Sequence, residues 1–254
     1  MNNKSVEVRE IEKGIKCIYM QERAHKNTFT PELIKGLEAA FRECEEDLSC
    51  KVIILTGYDS YFASGGTQED LLAIQEGRAK FTDANSNNSN VYSMPLECKL
   101  PVISAMQGHA IGGGLALGLF SDFVILSKES IYAASFMKYG FTPGFGATYV
   151  IPLKLGMVLG EDLLMTAKTY HGEDLRKRGV PFEVYPRKEV LQNAIELAKV
   201  IAEKPRISLI TLKQHLVREH KEKLQEKIKQ ELEMHEITFH LPEVKEKIMT
   251  MYDK

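Results

Sequence analysis

The residues in this chain best placed to do chemistry are uncharged. Two glycine clusters, Phe62-Ala63-Ser64-Gly65-Gly66-Thr67 and Gln107-Gly108-His109-Ala110-Ile111-Gly112-Gly113-Gly114, each follow a short apolar run and lead into an apolar-periodic, helix-like segment. The first amides of a helix have no acceptor within it, and the helix dipole adds partial positive charge there. Two such amides converging on one acyl oxygen would form an oxyanion hole, which stabilises negative charge as it develops. The same glycines could instead serve only tight turns and close helix–strand packing. Neither cluster is a nucleotide-phosphate loop: no G-x-x-x-x-G-K-[ST] occurs, and no G-x-G-x-x-G follows a strand and opens a helix. A third glycine-rich stretch, 140–146, has the composition of a loop capping the helix after it.

The elements behind these clusters can be read from periodicity. Residues 51–57 (KVIILTG) are a nearly all-apolar run ending in glycine, which suits a strand buried on both faces. Residues 102–106 and 123–126 repeat the style, with helical patterns between, so an α/β domain with crossover connections is expected. Upstream, 6–11 and 15–19 alternate around a turn at Glu12-Lys13-Gly14. Thr30-Pro31 supplies a cap and an N1 proline for a helix through about residue 46. Downstream, 188–203, 208–220, 221–239 and 243–251 read as four amphipathic helices without strand signals. Residues 82–90 (TDANSNNSN) are a polar, low-complexity loop.

Composition excludes more than it identifies. With 254 residues, 44% hydrophobic and 27% charged, the chain can build a core without disulfide or metal staples. Thirty-three Lys and Arg against 35 Asp and Glu give a net charge of −2, which disfavours a surface built for nucleic acid. Cys17, Cys44, Cys50 and Cys98 show neither CxxC pairing nor zinc spacing, so free thiols are expected. No apolar leader and no 18-residue apolar run occurs, and a cytoplasmic protein is the expectation.

The pair FASGGT and GHAIGGG, about 45 residues apart, with SDFVILS and GFTPGFGAT after them, resembles the crotonase (enoyl-CoA hydratase/isomerase) superfamily over nearly the whole chain. The resemblance implies an α/β fold: a β-β-α spiral core over 1–185 and a helical region over 186–254 that completes the active site and drives trimerisation. It places the oxyanion donors at Gly66 and Gly113. The departures are informative. Hydratases of this family carry a glutamate two residues after the GGG, where this chain has Ala116. Their second glutamate falls where this chain has Phe136. Adding water across a double bond needs a proton donor and acceptor, and these residues are neither.

A narrower resemblance accounts for the loss. YFASGGTQEDL, KFTD, AMQGHAIGGG, FMKYGFTPG, KRGVPF and EKPRISLITLKQHL look like the decarboxylase of the polyketide β-branching cassette. That branch converts 3-methylglutaconyl on an acyl carrier protein to 3-methylcrotonyl. Its catalytic lysine matches Lys80 and its catalytic histidine His235; the Asn/Ser-rich length after Lys80 is extra. Taken alone, a lysine in a polar stretch is a solvated group and a histidine on a helix a surface contact; the resemblance makes Lys80 a carboxylate partner and His235 a proton donor. Ala116, Phe136, Tyr139 and His109 are candidate pocket residues. No metal, nicotinamide or flavin is implied, because the phosphopantetheine arm arrives with the substrate. Implied partners are an acyl carrier protein, the other cassette enzymes, and further copies of the chain as a trimer or dimer of trimers. The basic residues between Lys213 and Lys229 could steer an acidic carrier. Two alternatives remain open: a Δ3,Δ2-enoyl thioester isomerase, and a non-catalytic acyl-thioester binding subunit.

Overall fold

The computed structural model describes residues 5–79 and 90–252. The chain opens with the hairpin β1 (Val6–Glu12) and β2 (Ile15–Met20), followed by α1 (Pro31–Glu46), β3 (Val52–Thr56), β4 (Tyr61–Ala63) and α2 (Gln68–Gln75). The short α3 (Met94–Glu97) precedes β5 (Val102–Met106), β6 (His109–Ile111) and α4 (Gly113–Leu119). Next come β7 (Phe123–Ser127), β8 (Ile131–Ala133), α5 (Ala147–Leu155), α6 (Met157–Thr166) and β9 (Thr169–His171). The remainder is α7 (Gly172–Lys177), β10 (Glu183–Tyr185), α8 (Arg187–Ala202), α9 (Arg206–Thr238) and α10 (Pro242–Met251).

Each turn of the spiral contributes one strand to each of two sheets. The larger sheet has the order β1-β2-β3-β5-β7-β10 and the smaller β4-β6-β8-β9. In the larger sheet only β1 and β2 pair antiparallel; β3, β5, β7 and β10 join in parallel, as crossover connections require. β3 shows why its sequence is apolar throughout: Ile53 and Leu55 face the main core, while Val52 and Ile54 face a second core under α8. Val190, Ala194, Ala198 and Ile201 supply the α8 side of that second core. α8 is therefore the outer cover of the spiral sheet, while α9 and α10 pack Val217, Leu224, Val244 and Ile248 into the main core.

Thr30 caps α1 as its position suggested, its hydroxyl accepting from the Leu33 amide at 3.2 Å. The small sheet escaped the periodicity reading because its strands are three residues long, too short to alternate. The two expected patterns 208–220 and 221–239 form a single 33-residue helix, α9, since neither glycine nor proline interrupts them. All four cysteines are buried free thiols. Among the described residues no helix is long and apolar enough to cross a membrane.

Candidate active site

The smaller sheet exists to bring the glycine clusters together. β4 and β6 run parallel, with Ala63 opposite Ala110, so both clusters leave the sheet at the same end. The first is tied down on its outer side. Asn27 donates to the Phe62 and Met20 carbonyls at 2.9 and 3.1 Å, and the Phe29 amide donates to the Gly65 carbonyl at 2.7 Å. The second is held by the Gly112 amide, which donates to the Ala133 carbonyl of β8 at 2.7 Å. At this junction there is no room for side chains. A Cβ on Gly65, whose φ is +79°, would lie 3.4 Å from the Gly113 nitrogen, and one on Gly114 would lie 2.0 Å from the Ala63 carbonyl oxygen. Gly66 immediately precedes the Thr67 cap of α2, and Gly113 is the first residue of α4. Among the described residues neither the Gly66 nor the Gly113 amide has a hydrogen-bond acceptor. Two neighbouring donors are thus left for a ligand.

His235 comes from α9. Lys213, Val217, Leu224, Glu231 and His235 form its buried stripe, at intervals of one or two turns. The His235 Nε2 lies 2.8 Å from the Thr142 carbonyl oxygen; a carbonyl only accepts, so Nε2 carries the proton. One turn earlier the buried Glu231 accepts from the Gly146 and Thr148 amides at 2.6 and 2.9 Å, capping α5 as the glycine-rich loop composition implied. α9 therefore grips the 140–146 turn at two successive levels. Burial lowers the His235 pKa from its ordinary value, with the Thr142 and Pro143 backbone acting in the opposite direction. The unliganded imidazole is accordingly neutral at pH 7.

A row of rings links the histidine to the glycines. The Phe239 ring stands 5.7 Å from His235 and 4.4 Å from Phe141. Phe141 stacks 6.0 Å from Tyr139, which lies 6.2 Å from Tyr252. Tyr252 ends the row by donating its hydroxyl proton to the Gly66 carbonyl at 2.5 Å. Phe136 meets Phe141 edge-on at 6.3 Å, so the wall containing the second hydratase acid position is wholly aromatic.

The remaining candidates fall out differently. Tyr139 and Phe136 belong to this wall. Ala116 is 0% exposed, inside α4, so it backs the site instead of facing substrate. His109 sits where β6 begins; its Nδ1 accepts from the Ile131 amide at 2.9 Å and its ring meets Tyr61 edge-on at 5.8 Å, so one ring nitrogen serves the framework. Burial, then Arg187 and His171, lower its pKa and keep it neutral, as that acceptor role needs. Lys80 lies outside the described residues, but both flanks of its segment are anchored. The Ala79 amide donates to the Ala73 carbonyl at 3.1 Å, and Asn90 donates to the Phe145 carbonyl at 2.8 Å. In the basic run of α9, Lys213 is buried and donates to Asp122, Pro95 and Leu100, while Lys221 pairs with Glu97 at 3.0 Å. Lys213 is therefore a structural cation and not part of a docking face. Tyr92 and Tyr252, both at the glycines, escaped the sequence reading because nothing local marks them; Tyr252 reaches Gly66 across 186 positions.

Residues 10–254 match the enoyl-CoA hydratase/isomerase family model. The chain is 56% identical over 252 residues, 99% of each chain, to the bacillaene synthase decarboxylase PksI of Bacillus subtilis. It is 28% identical to the carnitinyl-CoA dehydratase of Salmonella enteritidis, over 76% of this chain and 73% of that one. Two solved structures superpose closely. One, of a dehydratase/decarboxylase enzyme couple involved in polyketide β-branching, has TM-score 0.95 at 56% identity, covering 98% of this chain and 100% of that chain. The other, the decarboxylase domain of CurF from Lyngbya majuscula, has TM-score 0.92 at 41% identity, covering 97% and 99%. Unpartnered glycine amides at one end of the smaller sheet and a match over nearly the whole length point the same way: the chain belongs to the enoyl-CoA hydratase/isomerase family.

Proposed function

We propose that the chain decarboxylates a 3-methylglutaconyl thioester, carried on an acyl carrier protein, to 3-methylcrotonyl in polyketide β-branch formation. The observation that carries this reading is an oxyanion site kept without its hydratase acids. The Gly66 and Gly113 amides, which have no acceptor among the described residues, are read as its donors, while the two acid positions hold Ala116 in a helix core and Phe136 in an aromatic wall. Such a site can stabilise an enolate but cannot activate water. Its likeness to PksI and to the CurF decarboxylase domain supports the same reaction.

The chemistry balances with these residues and one proton drawn from solvent in each turnover. The C4–C5 bond breaks and C5 leaves as CO2. The electron pair delocalises through C4, C3 and C2 to the thioester oxygen, where the Gly66 and Gly113 amides receive the charge. Lys80 holds the departing carboxylate as an ammonium partner. The apolar rings of Phe136 and Phe141 limit hydration of that carboxylate. His235 takes up a proton from solvent and delivers it to C4, giving the 3-methyl-2-enoyl product and returning to its neutral form. The substrate brings its own phosphopantetheine arm.

We further propose that copies of the chain associate through the helical region over 186–254, where Ile207, Leu216 and Ile237 of α9 are 70%, 61% and 74% exposed, with the exposed Met157 and Val158 of α6 extending the apolar surface. Light scattering should report a trimer or a dimer of trimers; a monomer at micromolar concentration would refute it. For the reaction, carrier-bound 3-methylglutaconyl is incubated with the chain and followed by intact-mass spectrometry. Loss of the mass of CO2 is expected, and its absence would sink the reading. Lys80→Ala at full rate would remove that residue from the mechanism. Migration of the double bond in a non-carboxylated 3-enoyl thioester would favour the isomerase instead.

A further inference from the structure

Tyr92 has no part in the mechanism above, yet it stands against one of the two oxyanion glycines. It is only 6% exposed. Its ring is fixed between Phe29, at 5.2 Å, and Phe145, at 5.0 Å edge-on. The backbone beneath it is set by Asn90, whose side chain accepts from the Tyr92 amide at 3.0 Å while donating to the Phe145 carbonyl. Phe29 in turn holds the Gly65 carbonyl through its amide. The tyrosine is thus built into both glycine clusters. A Cβ on Gly113 would lie 2.2 Å from both the Tyr92 Oη and Cζ. Standard bond lengths then put the phenol oxygen within about 5 Å of the Gly113 nitrogen. Among the described residues that hydroxyl makes no hydrogen bond.

The Tyr92 ring is buried but its hydroxyl is not sealed from solvent, so beside the Gly113 amide it stays open to a ligand. The aromatic packing on both faces leaves the phenol no rotameric freedom to look elsewhere. We infer that Tyr92 is a third hydrogen-bond donor to the thioester oxygen, completing the pair formed by Gly66 and Gly113. The inference rests on the oxyanion-hole reading of those glycines. A phenol is suited to the task, because it donates to an enolate oxygen more strongly than an amide while remaining neutral. Burial raises the Tyr92 pKa above that of free tyrosine, so the proton is present throughout the neutral range. Tyr92 also explains why the second donor is glycine: the phenol occupies the space any side chain there would need.

The test is Tyr92→Phe in the full chain, which keeps the ring and its packing and removes only the hydroxyl. Turnover of the 3-methylglutaconyl thioester should fall by about 100-fold, the usual cost of one oxyanion donor, with KM little changed. The decisive readout is spectroscopic. In difference infrared spectra, the carbonyl stretch of bound 3-methylcrotonyl thioester should rise in Tyr92→Phe. It should drop further when 3-fluorotyrosine, a more acidic phenol, is placed at position 92. An unchanged stretch in both variants overturns the inference even if turnover falls, because a purely structural tyrosine would leave the carbonyl untouched. Wild-type chain that binds the product but does not decarboxylate would refute the proposed reaction; the carbonyl shift would still decide on Tyr92.

Discussion

Gly66 and Gly113 supply the same chemical group, yet alanine at the two positions should have unequal consequences. Alanine keeps the backbone amide, so any loss must come from what the new methyl meets. At Gly66 the nearest atoms are the Leu71 Cδ2 and Cγ at 3.8 and 3.9 Å, an ordinary contact with a movable side chain. At Gly113 the methyl would meet the Tyr92 Cζ and Oη at 2.2 Å and Cε1 at 2.6 Å. To restore ordinary contact, ring and helix must part by roughly 1 Å, and Phe29 and Phe145 block the ring's retreat. Overpacking of this kind costs about 1–3 kcal/mol, a fall in melting temperature of about 3–10 °C for a chain this long. Displacing a catalytic donor by about 1 Å costs about 100-fold in rate. Gly113→Ala should therefore lose both stability and decarboxylation, whereas Gly66→Ala should melt within about 2 °C of wild type and retain most activity. The assays are thermal melting and the time course of CO2 loss by intact mass. Equal melting temperatures and equal rates for the two variants would refute the steric argument and the assignment of distinct surroundings to the two donors.

The buried histidine should leave a signature in stability against pH. Its folded pKa lies below the unfolded value of about 6.5, so the unfolded chain takes up the proton first as pH falls. Above about pH 6.5 the group contributes no pH dependence; below it, stability should fall until the folded pKa is passed. Urea titrations at pH 5 and 7 should show this drop in wild type and a smaller one in His235→Gln, and an unchanged difference would contradict it. Lys213 offers a test of the α9 framework. Its ammonium is 4% exposed and bonded to Asp122, Pro95 and Leu100, so Lys213→Ala leaves those acceptors buried without a cation. Because Asp122 keeps some solvent contact, a loss of about 3 kcal/mol in urea unfolding is expected, at the low end for a broken buried pair. A loss below about 1 kcal/mol would place Lys213 on the surface.

What could be read beforehand followed the reach of each physical signal. Val52–Thr56 announced a two-sided buried strand because five consecutive apolar or β-branched residues have few other homes, and Thr30-Pro31 announced a helix start through local capping chemistry. The glycine clusters were visible as candidates because close backbone approach restricts residue type. Contacts between distant segments leave no such mark. Tyr92 reads as one more core tyrosine until the Gly113 backbone is laid against it, and nothing near His109 in sequence announces its bond to the Ile131 amide. Lys213 reads as part of a basic run because sequence shows its helix but not the carbonyls and carboxylate gathered beneath it. The fold was thus largely legible, while the side chains around the glycine clusters were set by packing across the chain.

The Tyr252 hydrogen bond to Gly66 has a consequence for how the protein is made. The loop that presents the first oxyanion donor is written early in the chain, but its carbonyl is fastened by a residue 186 positions later. During synthesis, the glycine loop, the α2 helix after it and the strands beneath can assemble while α10 is still untranslated. At about 5–20 residues per second, an interval on the order of ten seconds or more separates the two partners. A nascent chain therefore holds a spiral core with an unfastened oxyanion loop. The Gly66 loop reaches its final anchorage only after α10 and Tyr252 have been made.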